Sequence, residues 1–297
     1  MKRFLLSVFA FLFCFFISNI AQCQQAGKVI EQSTVRSNIL NRLVKYTIYL
    51  PFDYETSQRS YPVVYLLHGY TDDHTGWLQF GEINRYADKA IYDGTIPPMI
   101  IVMPNGDSSW FINSYDGKEK YESFFINEFI PAIEKIYRIK AEKRYRGIAG
   151  LSMGGYGTLN YSFKYPAVFA AAASLSAAVR NDSAIVKLSD IEWENTFGQL
   201  YGKGLKGIAR LTKAWYDNSL LKIVETKPAS ELKTVRYWID CGDDDYLTTG
   251  NSLLHIGLVE KGIPHEFRVR QGTHNWTYWR TGITDALQFI GQSFHQY

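Results

Sequence analysis

Gly147-Ile148-Ala149-Gly150-Leu151-Ser152-Met153-Gly154-Gly155-Tyr156-Gly157 carries the pattern Gly-x-Ser-x-Gly, centred on Ser152. An apolar run, Ile148 to Leu151, leads into the serine, and a small-residue helical pattern, Gly154 to Tyr165, leaves it. Strand, sharp turn and helix make the setting of a nucleophile elbow. The turn is expected to force Ser152 into strained φ/ψ. The flanking glycines let strand and helix approach where a Cβ would clash. The alternative for the same residues is a glycine-rich turn whose serine merely caps the helix. The remainder of the chain decides between the two.

Upstream, Val29, Val35 and the alternation Val44 to Leu50 predict two antiparallel edge strands, the second stopped by Pro51. Val63-Val64-Tyr65-Leu66-Leu67 is continuously apolar, as in a strand buried on both faces. It empties into His68-Gly69-Tyr70 and a polar loop reaching Trp77. A backbone N–H just after His68-Gly69 suits an oxyanion donor, and an ordinary strand exit with a packed His68 is the competing reading. Residues 81–92 read as a helix. Met99 to Met103 reads as another buried strand, followed by a loop, Asp107 to Gly117, that holds Trp110. Tyr121 to Arg138 repeats apolar residues at helical spacing, with Pro131 expected to kink or restart the helix.

Downstream of the serine, Ala167 to Leu175 predicts a third apolar strand. Residues 178–232 break the rhythm with charge, glycine-rich turns and several aromatics, and read as a mostly helical insertion on the catalytic side. Val235 to Asp240 is a strand ending in Cys241-Gly242-Asp243-Asp244-Asp245. A helix is expected over Asn251–Lys261, the last strand over His265–Arg270, an exit loop over Gly272–Trp276 and a closing helix over Asp285–Tyr297.

This alternation predicts an α/β fold with a mostly parallel, doubly wound sheet and helices on both faces. Ligands bind such sheets at the carboxyl ends of the strands. His68-Gly69, Ser152, the Asp243–Asp245 run and His274 all fall at such ends. Their order, Ser then Asp then His, is that of the α/β-hydrolase fold. A serine hydroxyl needs a base, and an imidazole can accept its proton and pass it to the leaving alcohol. Ser152 is therefore the expected nucleophile and His274 the base, with a carboxylate holding the far ring nitrogen. The N–H groups of Met153 and Tyr70 are the expected oxyanion donors. Spacing does not choose among Asp243, Asp244 and Asp245. His68 and His74 precede Ser152, His255 lies in a helix, His265 opens a strand and His295 ends the chain, so each is a weaker candidate.

Length and composition bound the rest. The 297 residues are 46% hydrophobic and 21% charged, enough for one α/β domain with a real core. Residues 1–23 read as a signal peptide: Lys2 and Arg3, then an apolar core from Phe4 to Ile17, then Ala21 before Gln24. Residues 24–297 then form a single catalytic domain that is periplasmic or secreted. Cleavage near Ala21 or Cys23 is favoured over lipid anchoring at Cys23, because Gln22 is not the small residue expected there. Lys2 and Arg3 leave with the signal, so 32 basic residues become 30 against 29 acidic ones. Near-neutrality argues against a nucleic-acid or anionic-membrane partner, and no stable membrane span is expected in the mature chain. Only Cys241 stays within the fold, which gives no internal disulfide. No Cys/His cluster has zinc spacing, and neither metal nor cofactor is expected.

The chain resembles the esterase D-type branch of α/β-hydrolases, with the feruloyl and acetylxylan esterases of carbohydrate esterase family 1. Leu66-Leu67-His68-Gly69, Met103-Pro104, Ile148 to Gly155, Cys241-Gly242-x-x-Asp245, and His274-x-Trp276 with Trp279 carry the resemblance. It implies that Asp245, third after Cys-Gly, is the acid, and it supports Tyr70 as an oxyanion donor. The Ser-Asp-His order, the signal peptide and the aromatics near the expected cleft lead to the expectation of an exported serine esterase that removes feruloyl or acetyl groups from plant cell-wall polysaccharide, while the length of 178–232 keeps the substrate from being carried over from the resemblance. Trp77, Trp110 and Trp276 are the aromatics expected to contact substrate. A siderophore or short-chain acyl esterase is the alternative, and an inactive carbohydrate-binding protein on the same scaffold is the second. The partner in each case is an acylated carbohydrate or small ester.

Overall fold

The continuous apolar runs become the middle of one eight-stranded sheet in the computed structural model, which describes residues 26–294. The segment read as a signal peptide, and His295, lie outside the described residues. The strands are β1 (Lys28–Ser37), β2 (Arg42–Leu50), β3 (Val63–Leu67), β4 (Ile100–Pro104), β5 (Arg146–Leu151), β6 (Ala171–Leu175), β7 (Arg236–Gly242) and β8 (His265–Arg270). Their spatial order is β1-β2-β4-β3-β5-β6-β7-β8. Every residue of β3, β4, β5 and β6 is buried, which is why these strands read as unbroken apolar runs. β1 pairs antiparallel with β2, and β2 with β4; all other pairs are parallel. Only β1 of the expected edge pair is an edge, because β2 is closed on its other side by β4.

The chain leaves β3 towards β4 on one side and returns to β5 on the other. The loops after β3 and β5 therefore part at their carboxyl ends, where open α/β sheets bind ligands. The helices that matter for the site are α1 (Ile83–Tyr92), α2 (Ile130–Ile136), α3 (Met153–Lys164), α4 (Asp182–Lys187), α5 (Leu220–Thr226), α6 (Thr248–Glu260) and α7 (Trp276–Ser293). α1 and α7 bury apolar residues against one face of the sheet. The segment 121–136, α3, α5 and α6 cover the other.

Three elements depart from expectation. The segment from Tyr121 is not one helix: an α turn, Tyr121–Phe124, widens into a π turn, Phe125–Phe129, before α2 begins. Pro131 stands in the first turn of α2, where its missing N–H costs least. α7 starts at Trp276, well before Asp285, with the Asn275 side chain accepting the Tyr278 N–H at 3.0 Å. Gly282 and several β-branched residues hide this start, and burial against β6 and β7 overrides their weak propensity. β6 begins at Ala171, after a turn over residues 165–170.

Residues 178–232 are helical, as expected, but form a chain of short pieces. The side chains of Asn181, Ser189, Thr212 and Ser219 each cap the start of one piece. Trp193, Phe197, Tyr201 and Trp215 are buried between the pieces and α3.

Candidate active site

The elbow takes the form its glycines require. Ser152 has φ 53° and ψ −115°, a strained conformation between β5 and α3. A Cβ on Gly154 would lie 2.4 Å from the Leu67 carbonyl oxygen, and one on Gly150 2.4 Å from the Gly154 carbonyl oxygen. Ser152 makes no capping bond with its side chain. Its hydroxyl instead meets His274 Nε2 at 2.9 Å, and His274 Nδ1 meets Asp245 Oδ2 at 2.8 Å. The helix-cap alternative is thereby set aside.

The acid loop resolves what spacing left open. Asp245 is buried and faces His274, whereas Asp243 and Asp244 are exposed. Asp243 does structural work: its carboxylate accepts the N–H groups of Gly272 and Asp244, tying the acid loop to the histidine loop. Burial pushes the Asp245 carboxyl up. Bonds from His274, the Leu247 N–H and the Ser176 hydroxyl outweigh burial and hold it below the usual carboxylate range. Asp245 thus stays ionised, as a partner for an imidazolium must.

Gly69, after β3, lies against the serine: a Cβ there would stand 3.8 Å from Ser152 Cβ. Tyr70 directly follows Gly69 in the chain, and Met153 supplies the first N–H of α3. Among the described residues neither N–H has an acceptor, so both remain able to donate to an oxyanion.

His68 is a packed residue. The Gly106 N–H donates to its Nε2 at 2.8 Å, its Nδ1 lies 2.8 Å from the Gly69 carbonyl, and burial lowers its pKa to about 4. His74 pairs with Thr47, and His255 with His265. None of these competes with His274.

The three tryptophans do not share one role. Trp77 is a correction: it is fully buried and its indole N–H donates to the Leu67 carbonyl at 2.9 Å, so it supports β3 from beneath and offers no surface to a substrate. Trp276 is half-buried and packs against Trp77, Phe80 and Trp279, anchoring the start of α7. Trp110 sits beside Tyr70 and Tyr156, close to the elbow.

Sequence reasoning missed three neighbours of the triad. Trp279 stands edge-on to His274 at 4.9 Å and donates to Ser176 Oγ at 3.0 Å. Ser176, at φ 47°, links that indole to Asp245. Tyr246, exposed, lies with its ring 4.7 Å from His274. Ser176 and Tyr246 are signalled by position alone, one residue past a strand exit and one past Asp245, whereas Trp279, five residues after His274, is signalled by its place in the resemblance. Among the described residues no group of acidic, histidine or cysteine side chains could hold a metal. Cys241 is a buried free thiol, pushed up to about 12 by burial.

The family model for Esterase matches residues 37–290. The chain belongs to the Esterase family. Among solved structures, a ferulic acid esterase resembles this member of the family with a TM-score of 0.77 at 34% identity, covering 91% of this chain and 99% of its own. An esterase of Mycobacterium tuberculosis is 32% identical over 250 residues, 76% of this chain and 51% of its own length. The chain thus spans about half the length of that curated relative. The acetyl esterase of Caldicellulosiruptor saccharolyticus is 25% identical over 247 residues, 81% of this chain and 87% of its own length.

Proposed function

We propose that this Esterase-family chain is an exported serine carboxylic-ester hydrolase, acting through Ser152, His274 and Asp245 on feruloyl or acetyl esters of plant cell-wall polysaccharide. The observation that carries the reading is the unbroken series from Ser152 Oγ to His274 to Asp245, at 2.9 Å and 2.8 Å. His274 Nε2 takes the hydroxyl proton as Ser152 Oγ bonds to the ester carbon. The carbonyl oxygen becomes an oxyanion facing the Met153 and Tyr70 N–H groups. Asp245 holds Nδ1–H and balances the imidazolium. As the C–O bond breaks, His274 returns the proton to the leaving alcohol. Water then repeats the sequence on the acyl-serine and frees the acid.

The substrate reading draws support from the ferulic acid esterase and the acetyl esterase that the chain resembles. Residues 24–297 form one catalytic domain, and 178–232 is an insertion beside the site. Export rests on the basic and apolar pattern of residues 1–23. Expression in a host able to export it, with the N-terminus read by mass spectrometry, tests this: a cytosolic product retaining Met1 sinks it.

The activity test uses p-nitrophenyl acetate and methyl ferulate with the protein and its Ser152→Ala variant. Turnover of both, lost in the variant, with methyl ferulate favoured in kcat/KM, is the expected result. Turnover of acetate alone moves the reading to a short-chain acyl esterase, which the acetyl esterase relative favours. Turnover of neither, with no labelling of Ser152 by a fluorophosphonate, overturns the hydrolase reading.

A further inference from the structure

The loop between β4 and the segment at Tyr121 is bent to an unusual degree. Asp107, Trp110 and Phe111 have φ of 46°, 55° and 58°, three non-glycine residues in the left-handed region within five positions. Such strain persists where the surroundings over-determine it, and it collects at ligand clamps. Here it turns the Trp110 indole into the interior, 5% exposed, between Tyr70 and Tyr156. Its Nε1–H is buried and finds no acceptor among the described residues. Buried N–H groups are rarely left this way, so the donor asks for an explanation.

A second orphan donor stands nearby. Arg180 follows β6 by five residues, two beyond Ala178, whose N–H donates to the Ser152 carbonyl. Its Nε is buried and also lacks an acceptor among the described residues. Among the described residues its only ion pair is a loose one, 3.9 Å from Glu192. Both orphans pack on the same ring: Phe197 lies 4.9 Å from Trp110 between ring centroids, and Arg180 Cζ lies 5.6 Å from the Phe197 centroid. Phe197 is buried and closes a single π turn, Trp193–Phe197, a local irregularity of the kind found at functional sites. The Tyr70 hydroxyl donates to the Asn195 carbonyl at 3.3 Å, so this turn is moored to the residue next to Gly69 and the elbow.

We propose that Trp110 and Arg180 are specificity-determining donors for an oxygen-substituted aryl acyl group, which takes the place now held by the Phe197 ring. The inference rests on the ester-hydrolase reading above. A ring in that place is in contact with both side chains, and a phenolic or methoxy oxygen upon it closes the remaining gap to hydrogen-bond range. The Glu192 carboxylate, 3.9 Å from Arg180, sets a negative charge beside the site, which suits a neutral oxygen acceptor over an anion. A site built around donors rejects an analogue that lacks the matching acceptor, because binding it leaves those donors unpaired. Phe197 fills the space with an apolar ring when no acyl group is present, at the end of a turn able to re-form around a displaced side chain.

Methyl ferulate and methyl cinnamate differ only in the ring hydroxyl and methoxy groups, so the ratio of their kcat/KM values reads the proposed bonds. The expected ratio is about tenfold or more in favour of methyl ferulate. It falls towards one in Trp110→Phe and in Arg180→Gln, chiefly through KM. Phe197→Leu, with a smaller plug, lowers KM for methyl ferulate. A protein that cleaves methyl cinnamate as well as methyl ferulate overturns the proposal, as do folded variants in which both esters slow by the same factor. Where Trp110→Phe fails to fold, the unaltered protein and Arg180→Gln still decide. If p-nitrophenyl acetate is cleaved but neither cinnamate ester is, this inference fails while the hydrolase reading stands. If p-nitrophenyl acetate is also untouched, that reading fails with it.

Discussion

The loops after β3, β5 and β7 and the helical stretch 178–232 meet over the same serine, yet they are held by different forces. At the strand exits the backbone itself is the constraint. Gly154 touches the Leu67 carbonyl, Ser152 and Ser176 sit at positive φ, and Asp243 ties two loops together through their N–H groups. There is little freedom for a side chain to be elsewhere, which suits chemistry that depends on fractions of an ångström. The 178–232 stretch has no such frame. Short helices start on Asn, Ser and Thr caps and are joined by buried aromatics and by Arg210, whose guanidinium donates to the Leu188 and Leu205 carbonyls and to Asp190. That construction depends on side-chain caps and packing rather than on a fixed backbone turn. On the proposed reading, reaction and selection are built on separate mechanical footings within one site.

The comparison breaks most clearly at the acid loop. Asp245→Asn is expected to lower kcat by about ten-thousandfold, since an amide holds the wrong imidazole tautomer, whereas Asp243→Asn and Asp244→Asn stay within about tenfold. Steady-state kinetics on p-nitrophenyl acetate check it, and equal losses at all three positions would undo the assignment. At the elbow, Gly154→Ala drives a methyl group into the Leu67 and His68 carbonyls. It should destabilise the fold by about 3 kcal/mol or more in urea unfolding. A change under about 1 kcal/mol would show that the frame is softer than described.

The helical stretch should answer differently. Arg210, 1% exposed, stacks over Trp193 as well as bonding the carbonyls. Arg210→Met is expected to cost about 2 kcal/mol by leaving those carbonyls unpaired. Ser152 labelling by a fluorophosphonate should keep its rate, and loss of labelling in a folded variant would contradict the separation of the two regions.

The smallest effect is expected at the turn after β3. Burial, with the Asp73 charge beside it, raises the Asp72 carboxyl to about 6 from 3.8. The folded value lies above the unfolded one, so the ionised carboxylate is penalised in the fold. That penalty is absent below the unfolded value and complete above the folded one. Asp72→Asn should therefore stabilise the protein at about pH 8 by roughly 1 kcal/mol, discounted for partial exposure, and not at all near about pH 4. Thermal unfolding at both pH values checks it; an equal gain at both would mean that charge is not the cause.

Much of this is legible in the sequence, for reasons found in particular residues. The runs Val63–Leu67 and Met99–Met103 are apolar throughout because both sheet faces are covered, and that is visible letter by letter. The start of α7 was hidden, because Gly282 and its β-branched neighbours weaken a helical signal that only packing restores. Trp77, at the end of the loop that begins with His68-Gly69, is expected at the cleft. The register of that loop instead turns the indole under β3 to the Leu67 carbonyl.

What the sequence determined by itself is the alternation of strands and helices, the elbow at Ser152, and the order Ser, Asp, His at strand ends. Each is carried by neighbours in the chain, through periodicity, glycine spacing and position. What only the tertiary structure decided is direction across space. It turned Asp245 rather than Asp243 or Asp244 to His274, placed Ser176 and Trp279 behind that pair, and left the Trp110 and Arg180 donors against Phe197. Those outcomes depend on the φ of single residues and on contacts between segments far apart in the chain, which no local pattern encodes.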